Sequence, residues 1–300
     1  MKVRPSRPRW FELGVGGLLV AGPAVLGAAL DGARGGAAGG LAGLATAAAA
    51  AKLARRDEGR RRAALAGPFP PAWRELLLER YDHYDRLPEE LRPRFEDDLR
   101  LFLAQKRITG VEVEATDELR LLVAASAVTL SLGWPDYEWD QLAEVLLYPQ
   151  DFDRDYGFER SELAGQAHPW GTIILSVPAL QASFDDPDDA YHVGLHEFAH
   201  LLDVDQTHFD GTPVGLDPGR SAEWARVAEK EMERLRHRKS VLDPYGAEDP
   251  VEFLAVAVEA FFEAPLAMRQ RHRELYAILA EYFAQDPAAW DDARGLELDR

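Results

Sequence analysis

Apolar positions recur at helical spacing along most of the chain. After the turn-forming Gly67-Pro68-Phe69-Pro70-Pro71, the residues Leu76, Leu77, Tyr81 and Tyr84 mark one face of a helix over Trp73 to Tyr84. Phe95, Leu99, Leu101, Phe102 and Leu103 predict a second helix over Leu91 to Lys106. A third is predicted from Asp117 to about Leu132, with Thr116 as its N-cap. Val111 to Glu114 alternates like a strand, and Glu144 to Tyr148 reads as another. Gly171 to Val177, which is short, β-branched and ended by Pro178, is the clearest strand. Asp186-Pro187-Asp188-Asp189 combines a capping side chain, a first-turn proline and a carboxylate three residues after the cap, and so predicts the start of another helix. A further helix, apolar except for Glu252 and Glu259, begins near Pro250. Core packing alone accounts for each of these elements. The fold class is α+β, predominantly helical with a small sheet.

Charge divides the 300 residues into two parts. The overall balance of 34 Lys+Arg against 52 Asp+Glu is a net −18. Residues 1–65 hold 11 basic and four acidic side chains, a net +7, and residues 66–300 hold 23 basic and 48 acidic ones, a net −25. An acidic body excludes a phosphate-binding surface, so no nucleic-acid partner is expected. The basic head contains no charge from Leu13 to Leu30 or from Gly35 to Ala51. Each run approaches the roughly 20 residues needed to span a bilayer, and spans over 13–30 and 35–54 predict a transmembrane helical hairpin. Gly35, Gly39, Gly43, Ala47 and Ala51 give the second run a small-residue face for close helix packing. Basic clusters at Lys2 to Arg9 and Lys52 to Arg62 place both ends, and with them the body, in the cytoplasm by the positive-inside rule. A soluble cytoplasmic protein is the alternative. The plainer readings of the head are a cleaved signal peptide with an Ala/Gly-rich linker, or a low-complexity tail.

The sequence contains no cysteine, so a metal site must be built from histidine and carboxylate. His196-Glu197-Phe198-Ala199-His200 supplies both. Histidines at i and i+4 share a helix face and can converge on one ion, while Glu197 can address a water there. With eight histidines in the chain, the motif arises by accident roughly 0.02 times. Three protein ligands plus water describes a catalytic zinc, and the third ligand is left between Glu252 and Glu259 by the residues alone. An unpaired carboxylate in so apolar a helix is costly, and a metal is one partner that would offset the cost. Asp203, three residues past His200, is placed to orient a ligand imidazole from behind. His208 follows an apparent loop and reads as a surface side chain. No phosphate-binding glycine loop, nucleophile elbow or solenoid repeat is present.

From about Pro68 to Trp290 the chain resembles the Mlc titration factor A family of zinc-dependent peptidases, which is similar around the metal to anthrax toxin lethal factor. The strings that carry the resemblance are Pro68-Phe-Pro-Pro71, Leu163-Ala-Gly165, Leu195-His-Glu-Phe-Ala-His-Leu-Leu-Asp203, Asp210-Gly-Thr212, Leu242-Asp-Pro-Tyr-Gly246 and Glu252-Phe-Leu-Ala255. The resemblance implies a zincin-like fold of gluzincin type and one Zn2+ ion held by His196, His200 and Glu252. It also implies Glu197 as general base, Tyr245 as a hydrogen-bond donor to the transition state, and Glu259 as an outer or structural carboxylate.

The expected function is zinc-dependent hydrolysis of peptide bonds in a peptide or protein substrate, with aminopeptidase-type cleavage implied by the resemblance. The substrate is expected to pair with the strand Gly171 to Val177 by β-augmentation. Two alternatives stand beside it: a regulatory module that binds a protein partner on a peptidase scaffold, and a zinc hydrolase of a non-peptide amide. The intact His-Glu-x-x-His string favours catalysis.

Overall fold

The computed structural model describes residues 55–295 apart from 159–162, 204–207 and 238–239, together with positions 42, 45, 46, 48, 49, 51 and 52. Two compact units divide in sequence between Ala66 and Gly67. In the first, residues 55–64 are helical. The expected span 13–30 lies outside the described residues, as does most of 35–54. Among the described residues, no helix is long and apolar enough to cross a membrane.

The second unit is mostly helical with a small mixed sheet, as expected. It begins with α1 (Pro71–Arg80), α2 (Asp82–Arg86), α3 (Arg92–Gln105), β1 (Arg107–Gly110) and α4 (Asp117–Ser131). Strands β2 (Glu144–Tyr148), β3 (Gly165–Ala167) and β4 (Thr172–Ser176) follow. Then come α5 (Val177–Asp185), α6 (Val193–Leu201), α7 (Pro218–His237), a 3-10 turn (Pro244–Ala247) and α8 (Pro250–Glu263). The unit closes with α9 (Pro265–Arg271), α10 (Arg273–Phe283) and α11 (Pro287–Ala293).

Two helices form the centre. In α4 every side chain from Leu121 to Ser131 is buried, and its start is capped by Thr116, whose hydroxyl accepts from Leu119 N. In α8 every residue from Phe253 to Glu263 is buried, and Asp249 accepts from Val251 N and Glu252 N ahead of Pro250. Phe253, Phe261 and Phe262 are essentially inaccessible to solvent. Truncating one such ring costs about 3–5 kcal/mol, a large part of a domain's stability.

The sheet order is β1-β2-β4-β3, parallel except for the antiparallel β3–β4 pair. Glu144 pairs with Arg107 on one side and Thr172 on the other, and Gly165 pairs with Leu175. Val145, Leu147, Ile173 and Leu175 face the main core, while Ile174 joins Tyr148 and Phe152 in a small cluster on the opposite face. β4 therefore has strands on both sides, and among the described residues no further strand pairs with the outer edge of β3, although Leu163 just before it bridges to Phe152. The expectation that Gly171 to Val177 pairs with a substrate is corrected accordingly.

Four boundaries differ from the sequence reading for identifiable reasons. The single helix expected over Trp73 to Tyr84 breaks at Tyr81, whose extended torsions carry its hydroxyl to 2.6 Å from Thr129 Oγ1 in the core. The strand expected at Val111 to Glu114 lies instead at Arg107–Gly110. After one further bond, Val111 N to Leu147 O, the chain turns back so tightly that a side chain at Gly110 would collide with the Val113 carbonyl, and Glu112 takes a left-handed φ of 58°. The helix expected from Asp186 starts at Val193. Asp186 ends α5 through its N–H to Ala182 O, Asp189 closes a turn onto Tyr191 N, and Ala190 sits at φ 64° as the chain reverses. Val177, read as the end of a strand, is the first residue of α5 behind the Ser176 cap.

Gly133 shows how closely these helices approach, since a methyl group there would collide with the carbonyl oxygen of Phe283 in the last turn of α10. Gly133→Ala should destabilise the fold by about 1–3 kcal/mol, as other overpacked sites do. A denaturant midpoint equal to that of the parent protein would contradict this packing.

Candidate metal centre

Helix α6 positions the ligands, and a histidine sets where it begins. His192 precedes the helix with φ −147° and ψ 97°, and its Nδ1 accepts from Leu195 N at 3.2 Å. That role requires an unprotonated ring, and complete burial pulls the His192 pKa down to about 3. The sequence offered no sign of this cap, because histidine is not a usual capping residue. Val193, Leu195, Phe198, Ala199 and Leu201 are all buried, so α6 is enclosed rather than laid on the surface. Gly194 permits this, since a methyl group there would strike Ser126 of α4.

The i, i+4 spacing places the His196 and His200 rings 4.9 Å apart at 82°. Glu252, in the first turn of α8, brings Oε2 to 3.0 Å from His196 Nε2 and 3.7 Å from His200 Nε2. One ligand atom from each of the three residues lies within 4.8 Å of the others. Behind them, Glu259 Oε2 is 3.0 Å from His196 Nδ1, and Glu259 Oε1 accepts from His192 N at 2.8 Å. One carboxylate thus holds both the start of the ligand helix and the rear nitrogen of the first ligand ring, which leaves Nε2 facing Glu252.

The charges fit a cation at this point. Burial opposes protonation of His196, but Glu259 and Glu252 outweigh it and hold its pKa well above the ordinary value. Burial and the neighbouring His196 hold His200 down to about 3. Burial would raise Glu252, yet His196, His200 and the Tyr245 hydroxyl hold it below the ordinary carboxylate range. Two imidazoles and a carboxylate, buried and converging, are a donor set suited to a divalent ion of zinc type.

Glu197 lies beside this cluster and is not one of its converging ligands. Only 5% of it is exposed, and burial raises its carboxyl to about 8, with Glu252 and Glu259 pushing the same way and His196 opposing. Its Oε2 makes no hydrogen bond, and the backbone of Ala167 in β3 favours the charged form of the carboxylate. Edge strand β3 passes so close that a Cβ on Gly165 would sit 2.5 Å from Glu197 Oε1. Leu163-Ala-Gly165 therefore has a physical role that its sequence alone did not disclose: only glycine leaves room for the carboxylate.

Tyr245 stands at the open side, 43% exposed, with its ring 6.2 Å from His196, and burial together with the charge of Glu252 raises its hydroxyl pKa. The 3-10 turn that carries it is capped by Asp243, which accepts from Tyr245 N at 2.7 Å, and Gly246 lets the turn lie against Val256 of α8. Asp203 does not take the place expected for it. Its carboxylate accepts from the backbone N–H groups of Asp210, Gly211 and Thr212, anchoring the loop after α6 instead of an imidazole. His208 is exposed and lies outside the ligand cluster, while the adjacent Phe209 packs against His200 with ring centroids 5.5 Å apart.

The chain is similar to known proteins over most of its length. The pattern of Peptidase_M90, described as glucose-regulated metallo-peptidase M90, matches residues 55–284. An uncharacterised protein of Synechocystis sp. is 30% identical over 236 residues, covering 73% of this chain and 86% of its own. Mlc titration factor A of Pectobacterium atrosepticum is 32% identical over 208 residues, 63% of this chain and 77% of that protein. The Mlc titration factor A of Escherichia coli strain K12 is 30% identical over 207 residues, with 62% and 76% covered. The matched region takes in every residue of the ligand cluster and every element that positions it, and the chain belongs to the M90 family of glucose-regulated metallo-peptidases.

Proposed function

We propose that this protein hydrolyses peptide bonds at a single zinc ion held by His196, His200 and Glu252, in a zincin-like domain of gluzincin type over residues 66–300. The observation that carries the proposal is the convergence of those three ligand atoms within 4.8 Å of one another, beside a buried carboxylate, in a chain of a metallo-peptidase family. The chemistry a zinc ion supplies here is Lewis acidity, toward the scissile carbonyl and toward water. The chain's own residues do the rest. Glu197, buried beside the ligands with a free Oε2, takes the proton of the attacking water and returns it to the leaving amine. Tyr245, at the open side of the cluster, donates its hydroxyl hydrogen to the developing oxyanion. An extended peptide adds to the free edge of β3, within reach of Glu197.

Aminopeptidase-type cleavage is supported by the family resemblance, and N-acetylated peptides that are cut as fast as free ones would refute it. The name of the relatives, Mlc titration factor A, supports a second reading in which the body also binds a protein partner. Hydrolysis of a non-peptide amide is the remaining alternative, and a panel of peptides and simple amides separates it. Membrane attachment through residues 13–54, with the body in the cytoplasm, is carried by the charge pattern of the head alone. Recovery of the full chain in the soluble fraction after a carbonate wash would remove that reading.

Glu197→Gln should retain zinc and lose turnover, and a clean preparation that still hydrolyses peptides would overturn the assignment of the base. Glu252→Ala should lose metal by elemental analysis, whereas unchanged zinc content would move the third ligand to Glu259. Tyr245→Phe should lower kcat by about 10²–10³ with little change in zinc content, the usual loss for one oxyanion donor; parent-like kcat would exclude that role.

A further inference from the structure

We propose that Trp170, stacked on His168 at the end of the edge strand, is an aromatic platform that selects peptides with an aromatic side chain about three residues from the scissile bond. The proposal rests on the peptidase reading and on the free edge of β3.

Trp170 is 70% exposed, the most exposed of the large apolar side chains in the described residues. It is nevertheless held in place. Its indole lies parallel to the His168 imidazole, with centroids 4.3 Å apart and 9° between planes. His168 is buried, and its Nε2 is 3.3 Å from the Tyr156 hydroxyl. Tyr156 is presented by a tight turn in which Gly157 N donates to Asp153 Oδ1 and Tyr156 itself takes a left-handed φ of 64°. A non-glycine residue in that region costs energy, and such strain persists where the surroundings enforce it. Three rings and a strained turn therefore fix one face of an indole, while most of its surface is left to solvent.

Its place along β3 connects it to the chemistry. Ser176 N donates to Ala164 O and His168 N donates to Thr172 O, so Ala164 and His168 point their polar groups at β4. By the alternation of an antiparallel pair, Gly165 and Ala167 direct theirs to the free edge. Gly165 marks the level of Glu197, and His168 lies three residues further, about 10 Å at the rise of a strand. A peptide extended along that edge covers the same distance in about three residues. Gln166 pairs with Ile174 on the sheet face opposite the main core, and by the period of two His168 shares that face. A substrate side chain on the same face, three residues from the reacting bond, meets the indole. A planar ring there continues the parallel stack, in the offset arrangement aromatic pairs favour.

The test uses the full chain carrying Glu197→Gln and fluorescein-labelled decapeptides of alanine and glycine in which Phe, Leu or Lys is moved through each position. Anisotropy should show about tenfold tighter binding for Phe over Leu or Lys at one position. Trp170→Ala should reduce that ratio to about one, and Trp170→Phe should keep it. Binding without an aromatic preference, or a preference that survives Trp170→Ala, overturns the platform. Hydrolysis of the same peptides by the unsubstituted chain reports separately on the peptidase reading. Cleavage without aromatic preference leaves the peptidase standing and the platform refuted, while Trp170-dependent binding without cleavage does the reverse. Neither binding nor cleavage refutes both.

Discussion

Glu259 is a carboxylate only 1% exposed, flanked by apolar residues in the middle of α8, and the arrangement around the metal ligands turns on how it is satisfied. Burying such a group without partners costs several kcal/mol. Here one oxygen receives the backbone N–H of His192, the residue that starts α6, and the other meets Nδ1 of His196, one turn inside the same helix. Two contacts four residues apart fix both the rotation of α6 and its position along α8. Glu252, two turns earlier on α8, is carried by that alignment to the Nε2 atoms of both ligand histidines. The centre is thus two buried helices held in register by a single side chain, and the tautomer of His196 is set by the same contact.

The second constraint is space. α6 is pressed between α4 and the edge strand β3, and at both surfaces the close approach is made by glycine: Gly194 against Ser126 and Gly165 against Glu197. The second of these has a chemical consequence. Because no side chain stands at position 165, the strand covers the Glu197 carboxylate closely, and that burial raises its pKa to about 8. The packing that stabilises the sheet against the helix also encloses the group at the centre of the proposed reaction.

Local signals in the sequence act only where the tertiary structure allows, as the Asp-Pro dipeptides show. The chain has five, at Asp186, Asp217, Asp243, Asp249 and Asp286. Four stand at the start of an α-helix or 3-10 turn, with the aspartate accepting from backbone N–H groups just inside it. The fifth, Asp186, ends a helix instead. The dipeptide satisfies the first N–H groups of a helix wherever a helix is allowed to begin. Between α5 and α6 the chain must reverse, and the segment from Asp186 to His192 is spent on that reversal. The strand at Arg107–Gly110 was displaced from the alternating residues just after it for a similar reason. Its partner β2 determines which residues pair, and the alternation at Val111 to Glu114 falls in the turn that follows.

What the sequence determined by itself follows from short-range periodicity: the helical character of the body, α4 with its Thr116 cap, the strands at β2 and β4, and two histidines with a glutamate on one helix. The charge division between residues 1–65 and 66–300 was equally legible, since it is a property of composition. The tertiary structure decided which elements lie opposite one another. It made β3 the free edge, turned Asp203 toward the loop at Asp210 to Thr212, and assigned different tasks to Glu252 and Glu259 of α8. Glu252 and Glu259 are seven residues apart, almost two full turns, and so project from nearly the same face of one helix. No local pattern can distinguish them. Only the level at which α6 crosses α8 puts one carboxylate before the imidazoles and the other behind.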